Sequence, residues 1–305
     1  MSVYTSVNIE ELKSWLKDYA LDDLTGYQGI KSGITNTNYF LMTKNDQFVL
    51  TLFEKNSIED LPYFVNLMSH LAKHAFLCPK PILKKNGTAL SILKNKPALI
   101  VSCLKGKELT KPEANHCGTV GKNLAELHTI AKDFETHHQN TRDLTWIKKT
   151  ANTLLGKLPL DEDELLKEEI AYQEKQNYKL PKSTIHGDLF KDNVLFLNNE
   201  VSGVIDFYYA CTDYLILDVA IAVNDWCVNE DGSFDEERLN AFLSAYKKIR
   251  LFSDAEDKAW NDILRLASLR FWVSRLNDFY HAEEGELTYK KDPKHFKKIL
   301  KQRMS

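Results

Sequence analysis

Apolar residues recur at two different periods along this 305-residue chain, and the change of period divides it. Near the start Ile9, Leu12, Trp15, Leu16 and Tyr19 fall at helical spacing, and Asn8 followed by Glu11 supplies a capping box. Two strand-length runs follow, NYFLMT (38–43) and QFVLTLF (47–53), joined by KND as a hairpin-like turn. Ser57 predicts the cap of a second helix, striped by Leu61, Phe64, Val65, Met68, Leu71, Ala72 and Ala75. CPKP at 78–81 stops that helix, and ALSIL and PALIVSCL add two more strands. LKGKELTKP (104–112), polar and carrying Gly106 and Pro112, reads as a linker. Beyond it the pattern is one of long helices, interrupted by HGDLFKDN (186–193) between STI and VLF, and by VSGVIDF (201–207). The expected architecture is α+β and bilobal. A small antiparallel-sheet lobe covers 1–101, a hinge 102–111, and a larger, mainly helical lobe 112–305.

Composition narrows the class without choosing a function. Hydrophobic residues make up 43% and charged residues 27%, the balance of an ordinary globular protein. A net charge of −3 gives no reason to expect nucleic acid or an anionic membrane as partner. The opening MSVYTSVNIEELKSWL lacks a basic stretch followed by an apolar one, so no secretory signal is expected. No apolar run approaches the roughly 18 residues of a membrane helix. Cys78, Cys103, Cys117, Cys211 and Cys227 are odd in number, widely spaced and never in C-x-x-C, which predicts core thiols and a cytoplasmic setting.

HGDLFKDN concentrates two carboxylates, an amide, a histidine and a lysine between two apolar strands. Asp188 and Asn193 are five apart, and Asp206 lies eighteen residues beyond Asp188. Phosphoryl transfer from ATP needs a carboxylate beside the acceptor hydroxyl, to orient it and take its proton. It also needs oxygen donors that hold Mg²⁺ against the phosphates, and an amide adds one without adding charge. D-x-x-x-x-N followed by D is the protein-kinase arrangement. Taken singly, each residue also reads as a turn cap or strand end. The joint spacing favours the kinase reading, with His186 a scaffold group bonding backbone.

HGDLFKDN followed by IDF resembles the aminoglycoside phosphotransferase and choline kinase group. GITNTNYFL, FVLTLFE, GVIDFYYAC, NDWC, LRFWVSRL and a late KDP further resemble the homoserine kinases of this fold, over residues 33–293. The resemblance implies ATP and Mg²⁺ as cofactors and phosphorylation of L-homoserine to O-phospho-L-homoserine. It implies Asp188 as base, Asn193 and Asp206 as Mg²⁺ ligands, and Asp218 as a brace of the catalytic loop. Asp218 also suits a helix N-terminus on dipole grounds alone. KSGITNTN (31–38) takes the place of a phosphate-covering loop, with Ser32, Gly33 and Asn36 toward the nucleotide, and the backbone of Ser102 and Leu104 would meet adenine.

One position departs from the pattern. Where kinases carry a strand lysine or arginine, this chain has Thr51, which leaves Lys31 or Lys191 as the phosphate cation and Glu59 without its usual partner. The gap keeps open a nucleotide-binding pseudokinase, although the complete Asp188, Asn193 and Asp206 set argues against it. A different small alcohol, such as choline, ethanolamine or an aminoglycoside, also stays open as acceptor. A zwitterionic acceptor needs a planar cation and an anion, for which Asp225, Arg270 and Arg275 are the candidates, with Asn224 nearby. Arg270 and Arg275, roughly 140° apart on a helix, equally suit structural ion pairs with Asp225 or Asp278.

Overall fold

The computed structural model describes residues 4–30, 36–281 and 291–305. It forms two compact units, one of the described residues up to Lys105 and one of those from Gly106 onward.

In the first unit α1 (Ile9–Leu16) starts at the Asn8–Glu11 capping box, with both reciprocal bonds made. Tyr19 lies past its end, buried and bridged to Lys84 rather than helical. The sheet runs β1 (Gly26–Gly29), β2 (Thr37–Met42), β3 (Gln47–Leu52), β5 (Lys96–Ser102) and β4 (Ser91–Leu93) in that spatial order, all antiparallel. Alternation sends Tyr39 and Leu41 of β2 and Leu50 and Leu52 of β3 into one core with Leu12 and Ile100. Helix α2 (Leu61–Lys73) starts later than the Ser57 cap predicts. Asp60 is its N-cap residue, Ser57 donates to the Asp60 carboxylate at 2.9 Å, and Pro62 occupies the first turn. Ala75, expected on its stripe, sits beyond its end at φ 60°.

The second unit contains α3 (Ala114–Ile130), α4 (Leu144–Leu154), α5 (Leu160–Glu174), β6 (Lys182–Ile185), β7 (Val194–Leu197), β8 (Glu200–Val204), β9 (Cys211–Tyr214), α6 (Leu215–Trp226), α7 (Glu236–Lys247), α8 (Asp254–Tyr280) and α9 (Pro293–Met304). β6 pairs with β9, and β7 with β8, each antiparallel. Asn198 and Asn199, both at positive φ, make the two-residue turn of the β7–β8 hairpin. The expected hinge is not all free chain. Gly106 (φ 126°) lies so close to the hairpin that a Cβ would come within 2.3 Å of Ser202, and Lys107 exchanges two backbone hydrogen bonds with Phe196. Every residue of α6 is buried, making it the axis of this unit. Among the described residues no helix is long and apolar enough to cross a membrane. All five cysteines are free, four of them buried and Cys103 partly so.

Candidate active site

The HGDLFKDN loop hangs between β6 and β7 and is fixed from beneath by α6. Asp218 and Asp225 are seven residues apart, which brings both carboxylates to within about 20° of one helix face. They brace opposite ends of the loop. Asp218 accepts the backbone N–H of His186 at 2.7 Å and of Gly187 at 2.8 Å. Asp225 accepts the backbone N–H of Lys191 at 2.8 Å. Between them the Trp226 indole donates to the Leu189 carbonyl at 3.0 Å. Gly187 is held at φ 76°, where a Cβ would meet the Tyr209 carbonyl at 2.6 Å, so both space and backbone angle demand glycine.

His186 is fully buried and serves the backbone. Its Nδ1 accepts the Asp188 N–H at 3.2 Å, and its Nε2 faces the Ile205 carbonyl at 3.0 Å. These partners require the neutral tautomer protonated on Nε2, consistent with burial pulling its pKa down. Asp218 is equally buried, and burial favours its protonated form. Hydrogen bonds from His128 and the loop backbone outweigh that and hold its carboxyl below the usual range. His128 Nε2 reaches Asp218 at 3.0 Å, Tyr246 Oη lies 2.7 Å from His128 Nδ1, Arg250 donates to that hydroxyl at 3.2 Å, and Arg250 pairs with buried Glu256 at 2.6 Å. Burial lowers the His128 pKa, so a neutral imidazole passes hydrogen bonds in one direction from Arg250 through Tyr246 to Asp218, while Arg250 also donates to Glu256. His128 and Tyr246 have no signature in their own segments. Their roles come from contacts about a hundred residues away (90 and 118 positions along the chain).

The opposite face of the loop carries the candidate chemistry. Asn193 Nδ2 donates to the Asp188 carboxylate at 3.1 Å and to its carbonyl at 2.8 Å, directing the amide oxygen away from Asp188. Asp206 stands in the left-handed region (φ 63°, ψ 62°), a conformation that Asp tolerates better than most residues but that still costs energy. Phe207 beside it packs on the His186 ring, with centroids 4.8 Å apart. Burial and the nearby charge of Asp206 push Asp188 up to about 8, opposed by Arg270. Burial also pushes Asp206 up, to about 6. Asp206 is nonetheless exposed, surrounded by protein but open on one side, and that access to solvent favours its charged form. Two neighbouring carboxylates that resist ionising together, beside an amide oxygen, form an all-oxygen donor set suited to a hard divalent cation.

Arg270 is the cation closest in influence to Asp188. Its guanidinium is buried, lies 4.7 Å from the Phe271 ring centroid, and leaves Nη1 without a hydrogen-bond partner among the described residues. It pairs with neither Asp225 nor Asp278. Tyr209 and Arg142 adjoin it, Arg142 stacking on Trp146 at 4.3 Å, and sequence reasoning passed over both residues. The other acceptor candidates are engaged within the protein. Asp225 holds Lys191, whose Nζ is 3.7 Å away. Arg275 donates to the Asp292 carbonyl at 3.1 Å and stacks on Phe296 at 4.4 Å. Asn224 joins α6 to α8 and α9 through Leu264, Ser268 and Arg303.

The nucleotide candidates divide similarly. Lys191, expected at the phosphates, lines a cavity of about 800 Å³ with Val228, Arg238 and His295. Thr51 is buried and donates to the Asn38 side chain at 2.8 Å. The Asn36 side chain accepts the Glu54 N–H at 3.3 Å. Ser102 N–H donates to the Lys80 carbonyl at 2.9 Å, so it is not available to adenine. Leu104 follows the sheet, and Lys31, Ser32 and Gly33 lie outside the described residues.

The model of the phosphotransferase enzyme family matches residues 26–252. Homoserine kinase from Methylobacillus flagellatus is 47% identical over 302 residues, covering 99% of this chain and 95% of that protein. Homoserine kinase from a Janthinobacterium species is 42% identical over 310 residues, covering 100% and 96%. Among solved structures, amicoumacin kinase superposes with TM-score 0.74 at 12% identity, over 98% of this chain and 92% of that one. Choline kinase from Cryptosporidium parvum gives 0.70 at 16% identity, over 97% and 96%. The kinase-like α+β fold expected from the sequence is therefore the fold found, and the chain belongs to the phosphotransferase enzyme family, in the branch that these homoserine kinase relatives occupy.

Proposed function

We propose that this enzyme transfers the γ-phosphoryl group of ATP to the side-chain hydroxyl of L-homoserine, giving ADP and O-phospho-L-homoserine, a step toward threonine in the cytoplasm. The observation that carries the reading is the 47% identity, over nearly the full length of both chains, to a homoserine kinase. In this reading Asp188 orients the acceptor hydroxyl and accepts its proton. Asp206 and the Asn193 amide oxygen would hold Mg²⁺, which supplies charge neutralisation for the phosphates when bound. Arg270, with an unpartnered Nη1 and a charge that acts on Asp188, is assigned to the acceptor carboxylate. Asp225 and Arg275 are assigned to support of the loop and of the start of α9. On the nucleotide side Leu104 takes the donor role toward adenine, because Ser102 N–H is already bonded.

The test removes one charge from the acceptor. 3-Amino-1-propanol keeps the hydroxyl and ammonium of homoserine but lacks its carboxylate. Leaving a buried cation unpaired is severe, and kcat/KM should fall by about 10⁴-fold. Arg270→Ala should raise KM for homoserine far more than KM for ATP. An Arg270→Ala enzyme with an unchanged homoserine KM would refute the carboxylate assignment.

A further inference from the structure

The strand position that lacks a cation leaves open which residue balances the charge of the transferring group. We infer that Lys291, in the KDP segment just before α9, contacts the terminal phosphate of ATP and stabilises its transfer. The inference deepens the kinase reading above and rests on it.

The placement of Lys291 comes from packing that registers α9 on the catalytic loop. Phe190, within the loop, lies 4.4 Å from Phe271 of α8 and 5.8 Å from Phe296 of α9, and the last two rings stack at 5.3 Å. Phe296, Ile299 and Leu300 are fully buried, and Lys297 pairs with Glu162 at 2.6 Å. At the start of α9 the Asp292 side chain caps Lys294 N–H at 2.9 Å, while Arg275 holds the Asp292 carbonyl. The backbone next to Lys291 is thus tied down at Asp292 by two contacts. Its ammonium pairs with Asp192, one residue from Asn193 in sequence but 99 positions from Lys291, and lies 5.5 Å from the Phe190 ring centroid.

Three features separate Lys291 from its rivals. The pair with Asp192 is partly exposed, at 37% and 43% of the side chains, and pairs open to solvent contribute only about 0–1 kcal/mol. Exchanging that carboxylate for a phosphate oxygen therefore costs little. The charge of Lys291 also acts on Asp188 and Asp206, the two acids assigned to the reaction, as well as on Asp225 and Glu108. Lys191 by contrast is tied to Asp225, and Arg270 is buried on the Tyr209 and Cys211 side of Asp188. A flexible four-carbon ammonium at the exposed side suits a phosphate that arrives and leaves.

The experiment measures nucleotide binding without acceptor, by calorimetry with ATP and with ADP in magnesium buffer, on the full chain and on Lys291→Met, Lys291→Arg and Asp192→Asn. The native preference for ATP over ADP should fall about 10-fold in Lys291→Met, recover in part in Lys291→Arg, and persist in Asp192→Asn. Turnover of Lys291→Met should fall about 10²-fold, on the scale of losing one charge-stabilising donor. An unchanged ATP-to-ADP preference in Lys291→Met overturns the inference. So does an equal loss in Asp192→Asn, which would make the ion pair the source of the effect. A rise confined to the KM for homoserine would also overturn it, moving Lys291 to the acceptor. Because binding is read without acceptor, failure of native protein to phosphorylate homoserine would be a separate result, bearing on the acceptor alone.

Discussion

The two faces of the HGDLFKDN loop follow opposite rules. Toward α6, Asp218, His186 and His128 are wholly buried, and their hydrogen bonds form one connected chain ending at Glu256. On the other face burial and the charge of Asp206 raise the cost of ionising Asp188, Asp206 has a left-handed backbone, and Arg270 keeps an unpartnered nitrogen. The first face resembles a satisfied polar core, which rigidifies. The second holds charge and strain that only ligands can relieve. Stability and activity should accordingly separate when residues on the two faces are replaced.

The largest effect is expected on activity at Asp188. Asp188→Asn keeps the shape but cannot accept a proton, so kcat should fall by at least about 10²-fold while ATP binding stays nearly intact. The same variant should stabilise the ligand-free protein as pH rises. A carboxyl pushed up to about 8 when folded, from about 3.9 when unfolded, keeps its proton longer in the native state. The native state then binds the extra proton between those values, so the wild-type stability contribution is greatest below about pH 4 and is lost as pH climbs toward 8. Melting temperatures of Asp188→Asn and wild type should diverge in favour of the variant between pH 5 and pH 8.5, by roughly 2–4 °C. A variant that is less stable at pH 8.5 would place Asp188 on the stabilising face.

Asp218→Ala should do the reverse. It leaves the N–H groups of His186 and Gly187 and the His128 ring without their acceptor, a cost of about 3–5 kcal/mol measurable by urea unfolding. If Asp218→Ala does not fold, His128→Ala provides the milder case, with a loss of about 2–4 kcal/mol. A loss under 1 kcal/mol in His128→Ala would show that the buried chain is not a unit.

The same contrast explains what the sequence made legible. Asp188, Asn193 and Asp206 lie on one short stretch whose spacing singled them out, and the structure brings them together. Asp218 and Asp225 share a helix face, which spacing also exposes, although the grip of Asp225 on Lys191 does not show in it. Lys291 falls in the KDP motif, but its contact with Asp192, 99 positions away, is not written there, and His128 has no local pattern because its partners Asp218 and Tyr246 lie 90 and 118 positions away. Strand β1, GYQG, was missed for a related reason, since its residues carry neither alternation nor β-branched side chains and pairing with β2 alone defines it. The Ser57 cap failed because Asp60 and Pro62 compete for the same helix start.

The most direct test of the account is a coupled ADP-release assay on the native chain with L-homoserine, choline, ethanolamine and kanamycin as acceptors. The buried Arg270, whose charge acts on Asp188, and the homoserine kinase relatives predict that homoserine is turned over far better than the other three, with a kcat/KM larger by about 10³-fold or more. Turnover of choline or kanamycin equal to that of homoserine would contradict the account and leave a phosphotransferase of another small alcohol.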